Sequence, residues 1–154
     1  ADMLRDPEVM AAWEHTFSDE QIQKWIETQL TRYRDHIVGY FAVIHKESGA
    51  FIGQAGLMWS DIQEVRALEV GYMLKRRYWH NGYAGESAAA LIQYAFEEIG
   101  VNKVYATIRP ENEASLKVAR QAGMTAEGSY IKQYNGAEME HMILSISRTP
   151  EQDK

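Results

Sequence analysis

Two rhythms of apolar and polar positions run along this chain, and together they lay out its elements. The period-2 rhythm is clearest where Leu68, Val70, Tyr72 and Leu74 alternate with Ala67, Glu69, Gly71 and Met73, the pattern of a strand. The helical rhythm follows, with Ala84, Ala88, Leu91, Ile92, Ala95, Phe96 and Ile99 spaced by threes and fours on one face. Upstream, Asp6-Pro7-Glu8 reads as a helix start that turns Val9, Met10 and Trp13 inward. Ser18 and Gln21 have capping-box spacing before a second helix whose apolar stripe is Ile22, Trp25, Ile26, Leu30 and Tyr33. The nearly continuous apolar run Ile37 to Ile44 predicts a strand covered on both faces. After the turn signal Glu47-Ser48-Gly49, Phe51 to Trp59 returns as its hairpin partner, and Ser60 to Glu64 reads as another turn before the strand Arg66 to Leu74. Val104 to Ile108 predicts a strand broken by Pro110. Asn112 to Ala122 predicts a helix closed by Gly123. Met124 to Tyr134 and Met139 to Ser147 are strands joined at Asn135-Gly136, a strong turn signal, and the polar tail Thr149 to Lys154 reads as frayed. No repeat, low-complexity segment or linker interrupts this layout. It predicts one α+β domain over residues 1–154 with a mixed, mostly antiparallel sheet flanked by helices.

One junction stands out. Between the strand ending at Leu74 and the helix beginning near Ala84, the chain places Gly82, Ala84 and Gly85 where side chains must stay small. A strand-to-helix loop of this kind aims unpaired N–H groups and the positive end of a helix dipole at one spot, which suits a phosphate or pyrophosphate. An ordinary loop with glycines for turning fits the same spacing, because short glycine motifs are weak evidence.

Composition narrows the classes. The 154 residues suit a single core, and 45% apolar with 25% charged residues is ordinary for a soluble globular domain. No apolar run reaches the ~18 residues of a membrane span and no signal-peptide pattern is visible, so no membrane partner is expected. The chain opens at Ala1 rather than Met, which is compatible with processing of a precursor. The absence of cysteine excludes disulfides and thiolate metal sites, and the cytoplasm is the expected compartment. A net charge of -6 argues against a nucleic-acid binder and favours a cationic partner. Lys75-Arg76-Arg77, the densest basic cluster, lies beside the proposed phosphate loop, although a solvated turn explains it equally.

Four segments occur in a telling order: Gly71-Tyr72-Met73-Leu74, Tyr78 to Ala84, Pro110 to Ser115, and Gly123-Met124 with Glu127-Gly128. In this register the chain resembles the GNAT superfamily of acetyl-CoA-dependent N-acetyltransferases over residues 7 to 147. It looks most like the branch that acetylates the N-termini of ribosomal proteins. The resemblance implies the GNAT fold, with the family's usual first strand having no counterpart here. It also implies acetyl-CoA as co-substrate, held by Met73, Leu74, His80, Asn81, Gly82, Tyr83, Ala84, Gly85, Asn112 and Ser115. In the family the first two helices border the acceptor groove. Trp13, His15, Phe17 and Trp25 are therefore expected either to line a pocket or, as aromatic stripes often do, to fill core. The expected partners are acetyl-CoA and a cationic amine, with a homodimer left open.

Amine acetylation by a thioester needs a proton acceptor for the amine, a donor for the developing oxyanion and a proton for the leaving thiolate. The resemblance puts Glu69 on the strand that approaches the thioester, as a base or as a carboxylate paired to an arginine of the adjacent strand. Glu140 and His141 on the last strand are the alternatives. Ribosomal-type relatives often carry a glutamate before the final hairpin, but Ser129 to Tyr134 has none. Many GNAT enzymes protonate the thiolate with a tyrosine that here falls on Ala119, so Ser115 is the expected proton donor or thiol contact. Asn112 matches the pantetheine-contacting asparagine and equally a helix N-cap. His15, His36, His45, His80 and His141 lack ligand spacing, and no catalytic metal is expected. Without cysteine, direct transfer in a ternary complex is the expected route. A non-catalytic acyl-CoA-binding module of the same fold is the rival, distinguished by a blocked acceptor side with no carboxylate near the thioester.

Overall fold

Strands β1 (Gly39–Ile44), β2 (Phe51–Ile62), β3 (Val65–Leu74), β4 (Lys103–Ile108), β5 (Thr125–Tyr134) and β6 (Ala137–Ser147) form one sheet in the order β1-β2-β3-β4-β6-β5. The computed structural model describes residues 1–36 and 38–150; Ile37 of the predicted first strand and the last four residues of the predicted tail lie outside them. Every neighbouring pair is antiparallel except β3 with β4, so the sheet is mixed and mostly antiparallel, as the sequence pattern predicts. That parallel pair has a single bridge, Glu69 to Tyr105. β3 continues for five residues beyond it with no ladder partner on the β4 side. The sheet is therefore two antiparallel halves that part at their C-terminal ends.

Helices α3 (Tyr83–Tyr94) and α4 (Glu113–Gln121) cover one face. Leu57, Leu68, Val70, Val104, Ala106 and Leu144 of the sheet bury Ala88, Ile92, Ala95 and Phe96 from the α3 segment with Leu116 and Ala119 of α4. The predicted helical face is thus the buried one. The segment ends in a π-turn, Ala95–Ile99, and Gly100 stops it with φ +83. On the opposite face, the N-terminal segment packs Met3, Leu4, Val9, Met10 and Ile22 against Met73 and Trp79.

Four local expectations are corrected. Asp6 does accept from the Glu8 amide, but only a one-turn bend and a 3-10 turn (Ala11–Trp13) follow, ended by Glu14 in the left-handed region. The short α-helix, α1, lies earlier, at Asp2–Arg5. Helix α2 (Asp19–His36) starts on the predicted capping box, with reciprocal bonds of 2.8 and 3.3 Å between Ser18 and Gln21. Its buried stripe is Ile22, Trp25, Gln29 and Tyr33, however, while Ile26 and Leu30 are 46% and 59% exposed. The polar Gln29 wins because α2 covers the free edge of β1, where its Oε1 accepts from the Tyr40 amide at 2.9 Å. Being an edge strand, β1 is not covered on both faces: Phe41 and Ile44 are exposed. The predicted turn at Ser60–Glu64 shrinks to Gln63-Glu64, both with positive φ, because the ladder runs on through Ser60↔Ala67, Asp61↔Arg66 and Ile62↔Val65.

Candidate active site

The β3–α3 junction has a geometry that an anion would fit. Asn81 Nδ2 donates to the carbonyls of Tyr78 and Trp79 at 3.2 and 2.8 Å, bracing the loop. Gly82 caps α3 with φ +80, and the first helical bond runs from Glu86 N to Gly82 O. The amides of Tyr83, Ala84 and Gly85 therefore lie ahead of the intrahelical ladder. A Cβ built at Gly82 or Gly85 meets nothing within 4 Å, so the space over this turn is open. His80 is exposed at φ 62. The helix dipole and three free donors fit a pyrophosphate. The neighbouring basic cluster is committed elsewhere. Arg76 pairs with Asp6 at 3.4 Å and Glu8 at 2.6 Å, while Lys75 and Arg77 lie over the rings of Phe51 and Tyr78.

At the other side of the gap, Asn112 caps α4, its Oδ1 accepting from the Ser115 amide at 3.2 Å. The Ser115 carbonyl accepts the Tyr72 hydroxyl at 2.6 Å, which ties β3 to the first turn of α4. Burial, outweighing this bond, keeps the Tyr72 phenol protonated. Ala119 is fully buried in the core, so the position of the family's tyrosine faces away from solvent. Of the strand residues assigned to the cofactor, Leu74 is buried and its carbonyl accepts from Trp79 Nε1 at 2.9 Å; Met73 is half-buried against the N-terminal cluster.

Glu69 stands where the halves part. It is only 8% exposed, and its Oε1 accepts from both the Thr107 amide, at 3.1 Å, and the Thr107 hydroxyl. The alternative of an arginine partner on the adjacent strand is thereby replaced by a threonine of β4. Tyr40 leans over β3 from the edge strand, and a Cβ at Gly71 would sit 2.0 Å from its hydroxyl oxygen. Burial, aided by the charge of Glu69, holds the Tyr40 phenol protonated far above its ordinary range. Tyr130 and His141, facing partners on β5 and β6, complete the constellation; burial raises the Tyr130 phenol, with the charge of Glu69 adding to it, and burial lowers the His141 imidazole against a small opposing effect of Glu69. Glu140 is exposed and alternates away from Met139 and His141, which removes it from the group. Sequence reasoning missed Tyr40, Thr107 and Tyr130. The one usable signal was Gly71, a glycine inside a strand, which marks close approach of another group.

The four aromatic candidates serve as core and wall together. Trp13, Phe17 and Trp25 pack on the N-terminal cluster. His15, Phe17, Trp25 and Tyr40 also form a continuous series of ring contacts at 5.4 to 6.1 Å, which Tyr134 of the last hairpin extends at 5.7 Å from His15. Arg109, leaving β4, fastens this wall by binding the Ala12 carbonyl, Glu14 and Glu111. A separate cleft of about 470 Å³ lies between α2 and the β2–β3 hairpin, lined by Lys24, Arg32, Trp59 and Arg66 among others, and includes none of these groups. Among the described residues no cluster of three or more His, Cys, Asp or Glu is arranged to hold a metal, and no helix is long and apolar enough to cross a membrane.

Comparisons with known proteins identify the family of this fold. Residues 1–125 match the model of the acetyltransferase (GNAT) domain. YkkB, an uncharacterized protein of Bacillus subtilis (strain 168), is 34% identical over 122 residues, 79% of this chain and 71% of its own length. Among solved structures, a GNAT-family acetyltransferase from Bacillus anthracis superposes with a TM-score of 0.80 at 22% identity, covering 99% of this chain and 87% of that one. A ribosomal-protein-S5-alanine acetyltransferase from Vibrio fischeri gives 0.75 at 25% identity, covering 96% and 85%. The chain belongs to the GNAT family and is an acetyl-CoA-dependent N-acetyltransferase.

Proposed function

We propose that the protein moves an acetyl group from acetyl-CoA directly to a primary amine, either a protein N-terminus or a small amine, in a ternary complex. The observation that carries this reading is the pairing of Glu69, buried at the parting of β3 and β4, with the open α3 N-terminus on the same gap. The amides of Asn81 to Gly85 hold the pyrophosphate, Asn112 offers its amide to the pantetheine arm, and backbone groups of β3 beyond Glu69 face the thioester. Glu69 supplies the negative charge that receives a cationic amine and balances the proton it gives up. Ser115, half-buried at the start of α4, donates to the departing thiolate.

Direct transfer follows from the nucleophiles present. The chain has no cysteine, and no histidine–carboxylate pair bonds Ser115 among the described residues. Holding amine and thioester together supplies much of the rate through proximity. Release of free CoA, followed across a panel of small amines and N-terminal peptides, tests the activity and identifies the acceptor. Initial-rate lines with both substrates varied should intersect. Parallel lines with an acetylated enzyme trapped by mass spectrometry would overturn the route.

A further inference from the structure

The reaction needs a group to take the amine's proton, and Glu69 is partly engaged: both Thr107 donors fall on one of its oxygens. The last strand offers another. His141 lies on β6 two residues from Ile143, which pairs with Thr107, so its side chain shares the sheet face of Thr107 and Glu69. It is half-buried, its ring 6.2 Å from that of Tyr130, and its Nδ1 is 3.1 Å from the Met139 carbonyl. A carbonyl can only accept, so Nδ1 carries the hydrogen of the neutral ring and Nε2 keeps its lone pair.

We propose that His141 is the proton acceptor of the transfer: Met139 fixes its tautomer, its Nε2 lone pair is left for the reacting nitrogen, and Glu69 on the same face balances the imidazolium that forms. This rests on the transferase reading above. Burial pushes the imidazole below its ordinary range, the Met139 bond and Glu69 opposing it and Lys132 and Arg109 adding to it, so the ring is neutral at neutral pH. The groups facing it are Glu69 on β3, Arg109 with its partners Glu14 and Glu111 at the exit of β4, and Tyr130 and Lys132 on β5.

The amine, received as a cation by the charge of Glu69, first loses its ammonium proton to solvent and reacts as the free base. The nitrogen lone pair bonds the thioester carbon and the carbonyl π pair moves to oxygen. A nitrogen joined to that carbon is far more acidic than a free ammonium, and Nε2 takes its proton. The oxyanion then restores the carbonyl and expels the sulfur with the C–S pair. The thiolate is protonated through Ser115 or solvent, and the imidazolium returns its proton to water. The sum is amine plus acetyl-CoA giving amide plus CoA.

His141→Asn keeps a donor for the Met139 carbonyl and removes the base. It should lower kcat roughly 100-fold or more, the lower range for general-base catalysis, while leaving acetyl-CoA affinity unchanged by calorimetry. The wild-type pH profile should be steeper at its acid end, where His141 and the amine are both protonated, and the variant should lose that extra steepness. Imidazole should restore part of the activity of His141→Ala. Nitrogen NMR of the wild type should show His141 protonated at Nδ1 alone at neutral pH, whatever the acceptor. Wild-type kcat and profile in His141→Asn would overturn the assignment. So would a loss that tracks acetyl-CoA affinity and resists imidazole, or a proton found on Nε2. A wild type that releases no CoA with any amine would instead sink the transferase reading, and this proposal with it.

Discussion

Gly82 answers to backbone and ligand at once. Its φ of +80 is strained for any side chain, and the space beside it is the space an anion would use. Gly82→Val should therefore weaken acetyl-CoA binding at least about 10-fold, from strain and obstruction together. Arg76→Ala should cost about 1 kcal/mol or less, because an exposed arginine already paired with Asp6 and Glu8 gives the cofactor little. Calorimetric titration of both variants with acetyl-CoA checks the contrast, and equal small effects would remove the loop from the site. Glu69→Gln should cut kcat far more than acetyl-CoA affinity, since the amide keeps an acceptor for Thr107 and loses the charge. Steady-state kinetics beside the same titration decides it. At this scale the sequence was informative about Glu69, Asn112 and the glycines, whose types are tied to chemistry or φ. It was silent about Thr107 and Tyr130, and touched Tyr40 only through Gly71, because their roles arise only when strands distant in sequence are laid side by side.

Elements were legible where one face alone decides. β3, α3, α4 and the Asn135-Gly136 hairpin match their periodicities because each has a clear buried side. α2 and β1 were misread for a shared reason: they meet at a sheet edge, where hydrogen bonding outranks hydrophobicity. Ile26 and Leu30 face out so that Gln29 can reach the Tyr40 amide. Gln29→Ala should strand that buried amide and destabilise the protein by about 1–3 kcal/mol, measurable in urea unfolding. Leu30→Ala, although apolar, should cost under about 0.5 kcal/mol because the residue is exposed. The reverse ranking would show that the predicted stripe, not the observed one, carries the helix.

At the level of the whole molecule, the chain lays down β1 to β3 as one meander, crosses through α3, and builds β4 to β6 as a second unit. A ligand that spans both units should stabilise the native state alone. At a concentration 100 times its dissociation constant the gain is about 2.7 kcal/mol, or a rise in Tm of roughly 5–10 °C for a domain of this size. Thermal unfolding against acetyl-CoA concentration tests this. Inorganic pyrophosphate, which can occupy only the α3 end and so binds more weakly, should give a much smaller shift at equal concentration.

The single bridge between Glu69 and Tyr105 has a temporal meaning as well. The edge of β3 beyond it offers amides and carbonyls that no strand among the described residues answers, and a pantetheine arm has the amides to serve as a surrogate strand. The co-substrate then belongs to the architecture for as long as it stays. Those amides between Val70 and Leu74 that point away from β2 should exchange with solvent slowly in its presence and fast in its absence, while those bonded to β2 should change little. On this reading the molecule should be loosest in the interval between the departure of CoA and the arrival of the next acetyl-CoA, and a shortage of acetyl groups should soften the enzyme that uses them.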